Sequence, residues 1–570
     1  MEKLILNYQL AELPSAQHRA GLAGLILAIN ELKLQDWFLE DKDKPVIKGK
    51  TEEYSAEIEL NLEGLKALFD LVYDSFLEER STTNKIKNSK EIKEEEVADP
   101  KTGKTKKVKR YYYDVVTPTG AFLAPWDKSS EKQNEGIWIK LWRSMMWSIL
   151  RGIPTTRNPY NNRVGDKKYS QDAEDIWQEL NNSDKTNDQK SQFYLGALAT
   201  NSEYVPVKDR AKYQFLLHFT PLVMQVYCPA SLKLDGDREL NGYALAIPDV
   251  ANLKKFCSSF RKVIESRTRS SDKFKYLPRD AVIDLVEESA LDFMLLENAI
   301  ARETGSQRIA RTILGVEVIH AEKIGNSIKI RSINYVEPIR ETLNRYEQIR
   351  KEYWCPWFRK QRLLNLVRQK PAWYEFDDLL SRAPRQWLNK EKLTKTGIDK
   401  SNLYFSHDAQ AFFRVEVFEK FNGDKVKAMT QKVRDTEVIV YSVCQSYVLG
   451  KLKNKYDLEW KKGTDKQNGY PTNSKTKAKV PQSDYDDKKH KIANEAFLAV
   501  RSRTEKQVFV DYFVSSLYPF IKEKEFAQFA QVLFDDKEWK KIRALTLLAL
   551  ASQFPSGKSS ETEESSNNAA

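Results

Sequence analysis

Cysteine and histidine are scarce: four and five among 570 residues. Cys228, Cys257, Cys355 and Cys444 stand far apart and none belongs to a C-x-x-C pair. A zinc ribbon and a disulfide framework are therefore not expected, and a reducing cytoplasm fits. The histidines are scattered, with no H-E-x-x-H among them. No phosphate-cradling loop ending in GK[ST] and no Gly-x-Ser-x-Gly elbow is present, so the motifs that announce an NTPase or an α/β-hydrolase are missing. The acidic pairs Asp377-Asp378 and Asp535-Asp536 stand beside Leu or Lys and read as helix-terminal charges. No enzyme, metal or cofactor is expected. Long apolar runs are missing as well. The run from Leu22 to Ile29 belongs to a stretch of about ten residues, where a membrane span needs roughly twenty. Asn30-Glu31-Leu32-Lys33 follows it without a small-x-small cleavage site, so neither a signal peptide nor a membrane partner is expected.

What is abundant is positive charge. There are 93 Lys and Arg against 81 Asp and Glu, a net charge of +12. Such a balance favours a polyanionic partner, nucleic acid or an anionic membrane surface. The length allows two to four domains with large cores.

The stretch Leu13 to Ile29 organises the chain. Its periodicity predicts a helix, with Pro14 in a first turn that tolerates a missing N–H. Leu22, Leu25, Ile26 and Ile29 share one face, while Ala20, Gly21, Gly24 and Ala28 make another face small. Each interior glycine costs about 1 kcal/mol against alanine, and close approach of a neighbouring backbone is the expected compensation. Leu4, Leu6, Tyr8 and Leu10 predict a strand before it. Tyr54, Ala56, Ile58 and Leu60 predict another, followed by a helix capped by Asn61. The opening therefore reads βαβα.

Residues 84–116 predict a long β-hairpin with a turn at Asp99-Pro100-Lys101-Thr102-Gly103. Its return strand carries Lys104, Lys106, Lys107, Lys109 and Arg110 and then Tyr111-Tyr112-Tyr113. Interleaved cations and aromatics suit a nucleic-acid backbone and its exposed bases, and a merely solvated arm is the alternative. Ile137, Trp138, Leu141, Trp142, Met145 and Ile149 predict a core helix. After Gly152 a loop holds Arg157, Asn158, Asn161, Asn162 and Arg163, side chains that hydrogen-bond base edges and phosphates, or make a polar surface loop.

Phe215 to Cys228 reads as buried strand with His218 as a core histidine, and Gly242 to Asp249 as the strand returning. A helix near 280–303 and a hairpin at Gly325-Asn326 follow. Strand signals then disappear. Residues 456–487 read as a linker, and Phe509/Phe513/Leu517, Phe526/Phe529/Leu533 and Ile542/Leu545/Ala549 mark three helices. Lys432, Arg434, Lys451, Lys453, Lys488, Lys489, Arg501, Arg503, Lys540 and Arg543 are placed on the polar faces of this bundle. The fold class is α+β: a large mixed α/β N-terminal region followed by an all-α C-terminal helical bundle. The boundaries are 1–165 for an α/β unit with its basic arm, 166–390 for a second mixed region, 391–555 for the bundle and 556–570 for a disordered tail.

Leu13-Pro14-Ser15-Ala16-Gln17-His18-Arg19-Ala20-Gly21-Leu22-Ala23-Gly24-Leu25, taken with Gly242-Tyr243-Ala244-Leu245-Ala246-Ile247-Pro248-Asp249-Val250, resembles the large subunit of type I CRISPR surveillance (Cascade) complexes, in the I-B/Myxococcus-type branch. Trp147-Ser148-Ile149-Leu150-Arg151-Gly152-Ile153-Pro154 is similar to a segment of the same branch. The resemblance implies a non-enzymatic DNA-binding role in antiviral defence. Such a subunit reads the protospacer-adjacent motif on double-stranded DNA and opens the strands to start the R-loop, while guide RNA pairs with the target. Its implied partners are guide RNA, backbone subunits, a small subunit and a downstream helicase-nuclease or transposition adaptor. It also implies that the small subunit can start inside the same gene. Met429 is the only methionine of the last third and stands just before the bundle. The alternatives from other classes are a metal-dependent nuclease with dispersed ligands, and a scaffold whose charge balances an acidic partner.

Overall fold

The computed structural model describes residues 2–39, 45–85, 89–98, 105–130, 135–151, 157–165, 167, 169–182, 184–189, 194–196, 207–233, 238–267, 281–303, 312–384, 405–418, 435–461, 469–522 and 525–553. The chain divides into two compact units, residues 1–231 with 240–343, and residues 232–239 with 344–570. The boundary expected at 165/166 lies inside the first.

In the first unit, strand β1 (Leu4–Gln9) leads into helix α1 (Ala16–Leu32), of which fourteen of seventeen residues are buried. The helix begins two residues beyond its proline, at Ala16: Ser15 is the N-cap and Pro14 precedes it. The small face is occupied as expected. A Cβ added at Gly21 would lie 2.2 Å from the Leu216 carbonyl oxygen, and one at Gly24 2.2 Å from that of Phe219. The backbone of residues 216–219 thus lies directly on α1.

Strands β2 (Ile47–Thr51) and β3 (Ser55–Leu60) follow, and the sheet runs β1-β3-β2, all antiparallel. The βαβα reading lacks β2, an edge strand in which only Ile47 is buried and which shows no apolar alternation. Helix α2 (Leu62–Val72) is capped as predicted, the Asn61 side chain accepting from the Gly64 N–H at 2.7 Å. The arm is a three-stranded antiparallel sheet, β4 (Ser75–Thr82), β5 (Glu91–Ala98) and β6 (Thr105–Pro118), with β6 in the middle.

Helix α3 (Ile137–Ser148) buries Trp138, Leu141, Trp142 and Met145. It is followed by the short helix α4 (Arg157–Asn162) and by α5 (Gln171–Leu180). The predicted strand at 215–228 is a correction. The chain there forms two helical turns, α6 (Ala211–Leu216) and α7 (Thr220–Val223), and only then strand β7 (Gln225–Leu232). Pro221 at the first turn of α7 favours helix, and the chain must bend here to lay its peptides on Gly21 and Gly24. His218 is a core histidine: its Nδ1 lies 2.5 Å from the Tyr73 hydroxyl, and burial pushes its pKa down to about 3, so the ring is neutral.

Strand β8 (Tyr243–Val250), helices α8 (Leu253–Glu265) and α9 (Glu288–Glu303), and the hairpin β9 (Ile313–Ile324) with β10 (Ser327–Val336) complete the unit. The second sheet contains β7-β8-β9-β10 as antiparallel neighbours. Its hairpin turns at Gly325, which adopts a φ of +59°.

The second unit is mostly helical: α10 (Arg340–Glu352), α11 (Pro356–Val367), α12 (Phe376–Arg382), α13 (Ser406–Phe412) continued by a π-helical segment (Phe413–Phe418), and α14 (Thr436–Tyr456). Residues 456–487 are a second correction. They contain a two-stranded hairpin, β11 (Leu458–Lys461) and β12 (Tyr470–Asn473), so the bundle is not all-α. Lysines dilute the apolar signal there, yet Leu458 and Thr472 are buried. Then come α15 (Gln482–Arg501), α16 (Lys506–Tyr512), α17 (Phe526–Phe534) and α18 (Trp539–Ala551). Helix α18 is buried from Ile542 to Ala551 and packs against α12, α14 and α15. Arg543 is therefore an interior residue rather than a surface cation. It ion-pairs with Asp377 at 3.3 Å and donates to the Arg503 carbonyl at 2.8 Å. Met429, Lys432, Arg434 and the tail lie outside the described residues. No described helix is long and apolar enough to cross a membrane.

Candidate nucleic-acid interface

In the arm, cross-strand neighbours are mixed in charge, with Arg110 opposite Lys93 and Glu79 opposite Asp114. Lys109 is cross-strand from Glu94, 3.7 Å away, and Lys107 stands opposite Glu96. Arg110 Nη1 donates to Ser81 at 3.2 Å, Lys90 ion-pairs with Asp114, and Lys93 lies 5.0 Å from the Tyr112 ring centre. Across the three strands there are seven carboxylates and six cations. Lys109 is thus paired within its own sheet. Lys107 and Lys109 are exposed. For Lys106 only the backbone position, opposite Val97, is described, and Lys104 lies outside the described residues.

The second expected cluster is not a loop, because residues 157–162 form α4. Its root is fixed at the base of the arm, where the Ser75 hydroxyl donates to the Tyr160 carbonyl at 2.6 Å and Ser75 bridges Val164. Tyr160 packs edge-on against Trp147 at the end of α3. Asn158 and Asn161 are exposed, and Asn162 is half-buried. Arg163 turns inward. Its side chain is 2% exposed, with Nε 2.7 Å from Asp70 and Nη1 2.7 Å from Asp172. It forms one wall of a cleft of about 920 Å³ whose ionisable lining includes Glu31, Glu63, Asp70 and Asp74 against Lys66 and Lys167. A surface with that balance repels phosphate, and Arg163 itself is an internal strut.

Arg157 behaves differently. Its guanidinium lies 5.1 Å from the Trp147 ring centre and its Nη2 donates to the Trp147 carbonyl at 2.6 Å. Its Nε is buried with no hydrogen-bond partner. Burial, and then the neighbouring Arg151, hold its pKa below the usual arginine value. Arg151 in turn donates to the Asn326 carbonyl at the tip of the β9–β10 hairpin. Neither arginine pairs with a carboxylate among the described residues. One guanidinium over a tryptophan and a second near it, with Asn158 and Asn161 exposed on the adjoining helix, form an anion-receptive patch with side chains suited to base edges.

Sequence reasoning singled out Arg157 but missed Arg151, although it stands in one of the stretches that carry the family resemblance. Its approach to Arg157 depends on a turn at Asn326, far along the chain, and nothing local announces it. Among the described residues, no group of three or more His, Cys, Asp or Glu is placed to hold a metal ion.

Residues 46–306 match the type I-B CRISPR Cas8b N-terminal domain, and residues 313–553 match the type I-B CRISPR Cas8b C-terminal domain. No curated protein sequence matches the chain. The two family matches span nearly all of it, meeting between α9 and β9, and the chain belongs to the Cas8b family, the large subunit of type I-B CRISPR complexes.

Proposed function

We propose that this subunit recognises the protospacer-adjacent motif on double-stranded DNA, opens the strands so that guide RNA can pair, and presents a surface to a downstream helicase-nuclease or transposition adaptor. It does so by charge and shape and breaks no covalent bond. Membership of a type I CRISPR complex with other Cas subunits supplies the setting. The observation that carries the reading is the juxtaposition of Arg151 and Arg157, with no carboxylate paired to either among the described residues, beside the exposed Asn158 and Asn161. Phosphates supply the missing counter-charge, and the amides supply donors and acceptors for base edges. The arm contributes through Lys106, Lys107, Lys109 and Arg110, with Glu94 competing for Lys109.

The test is reconstitution with backbone subunits and guide RNA, followed by binding to duplexes carrying a randomised flanking motif. Enrichment of a short motif, with duplex opening beside it, is the expected result. Equal retention of all flanking sequences overturns motif reading. Cleavage by the isolated chain with Mg²⁺ or Mn²⁺ overturns the non-catalytic reading.

A further inference from the structure

The second unit contains a tryptophan that the reading above does not use. Trp354 lies just beyond α10 and is 52% exposed. Burial would remove a large apolar area from water, so an indole held in the open invites an explanation. It is also fixed in place. The backbone N–H of Trp354 donates to Asp408 Oδ1 at 2.6 Å, and the N–H of Cys355 donates to the same carboxyl group at 3.1 Å. The residue before Asp408 is His407, whose ring stacks on the indole with centres 3.8 Å apart and planes 16° from parallel. One dipeptide therefore anchors the backbone of Trp354 and backs one face of its ring. Burial and then Arg414 hold the His407 pKa below the usual histidine value, so the supporting ring is neutral near pH 7.

Two exposed cations stand nearby, each held by a glutamate. Arg414, on the π-helical segment, lies near His407, is 55% exposed and ion-pairs with Glu352, two residues before Trp354. Lys351, three residues before Trp354, is 69% exposed and ion-pairs with Glu347. A rigid aromatic surface with cations nearby, held only in surface ion pairs that a phosphate can replace, suits a flat ring that carries a phosphate: a nucleobase outside a duplex. A protein partner would more commonly be met by a tryptophan within an apolar patch with charges kept to the rim.

We propose that Trp354, backed by His407, is a stacking platform for one unpaired nucleobase of a single strand, with Arg414 beside it for the adjoining phosphate. The platform is independent of the duplex-reading patch of the first unit and stands whether or not a motif is read there.

The test uses the full-length chain and fluorescently labelled oligothymidylate and oligouridylate of about 12 nucleotides, a length within the span of known single-strand sites. A third strand of equal length carries abasic residues and so keeps the phosphates. The wild-type chain is expected to prefer the base-bearing strands to the abasic one by roughly tenfold. Trp354→Ala is expected to abolish that preference, Trp354→Phe to keep most of it, and duplex affinity to stay unchanged in both. The thymidylate and uridylate arms show whether DNA or RNA is the favoured source. An unchanged preference in Trp354→Ala overturns the proposal. So does equal loss of single-strand and duplex affinity, which would mark a general defect, and so does the absence of any base preference in the wild-type chain, which needs no variant to be seen.

Discussion

Arg19 on α1 ion-pairs with Asp249 on β8 across 230 positions of sequence, joining the two stretches that together carry the family resemblance. Asp249 also accepts from the Tyr335 hydroxyl on β10 at 2.9 Å. Gly315 leaves the room for that ring, since a Cβ there would lie 2.6 Å from the hydroxyl. One carboxylate thus ties the buried helix to two strands of the second sheet, β8 and β10.

Removing Arg19 leaves that carboxylate buried with a single neutral donor. Arg19→Ala is expected to destabilise the first unit by about 3 kcal/mol, the lower part of the range for breaking a buried pair, because Arg19 keeps some contact with water. Arg19→Lys recovers only part of this, since the donation to the Leu13 carbonyl at 3.0 Å depends on the guanidinium fork. Urea midpoints followed by intrinsic fluorescence measure both. A shift below about 0.5 kcal/mol in Arg19→Ala would mean that water replaces the arginine without loss.

Helix propensity and packing make opposite demands at Gly21 and Gly24. Alanine is the better helix former by about 1 kcal/mol. The added carbon, however, meets a carbonyl oxygen at 2.2 Å at either site, and the obstruction is backbone. Gly21→Ala and Gly24→Ala are each expected to destabilise by about 2 kcal/mol or more, as overpacking does. Gly49→Ala is the control, its Cβ meeting Ile58 at an ordinary 3.4 Å. If all three variants melt together, the close approach of residues 216–219 does not hold in solution.

That small face was legible in the sequence because a glycine cost inside a helix demands a local reason. Asn61 as a cap and His218 as a core residue were legible for the same kind of reason. Residues 215–223 were not, because an apolar run of that length fits a strand or a buried helical turn equally well. The β11–β12 hairpin was hidden by its lysines. At the candidate site, the identity of Arg157 could be read, but its partner Arg151 could not, since a hairpin tip distant in sequence brings the group into place. Arg163 looked like Arg157 on paper. Its separate fate is decided by Asp70 and Asp172, and only one of these is nearby in sequence.

Stability of the first unit is expected to fall as pH rises. Burial raises the Glu297 pKa to about 8, and the Ser259 hydroxyl, 3.3 Å away, only partly opposes this. Since 8 exceeds the value of about 4.3 for a free glutamate, the folded state holds a proton that the unfolded state releases. The contribution is complete below about pH 4 and is lost progressively as pH approaches 8. Glu297→Gln keeps an acceptor for Ser259 and removes the titration. The variant is expected to match the wild-type chain near pH 5 and to exceed it by a few kcal/mol at pH 8. Denaturant titrations at the two pH values test this, and parallel stability curves for the two proteins would contradict it.

A shorter product is expected from the same gene, beginning at or near Met429. It would keep α14, α15 and α18, which pack on one another, and would forgo Asp377, leaving Arg543 with the Arg501 and Arg503 carbonyls. Expression of the single gene with a C-terminal tag, followed by immunoblotting and N-terminal sequencing, checks it. A full-length band alone argues against an internal start at this methionine.

The two cationic regions of the first unit are expected to fail in different ways. Arg157 stands near Arg151 and pairs with no carboxylate among the described residues, so its removal takes away one fixed donor rather than one of many diffuse charges. Arg157→Ala in the assembled complex should reduce affinity for the preferred motif by about 1–3 kcal/mol while leaving other sequences little changed, which relaxes preference. The double change Lys106→Ala with Lys107→Ala should weaken binding to every duplex and lower the slope of log K against log salt by up to about two. Binding isotherms at several salt concentrations, on preferred and scrambled motifs, separate the outcomes. If both variants lose affinity uniformly and with the same salt dependence, reading and gripping are not divided between α4 and the arm, and Arg157 acts only as one more charge.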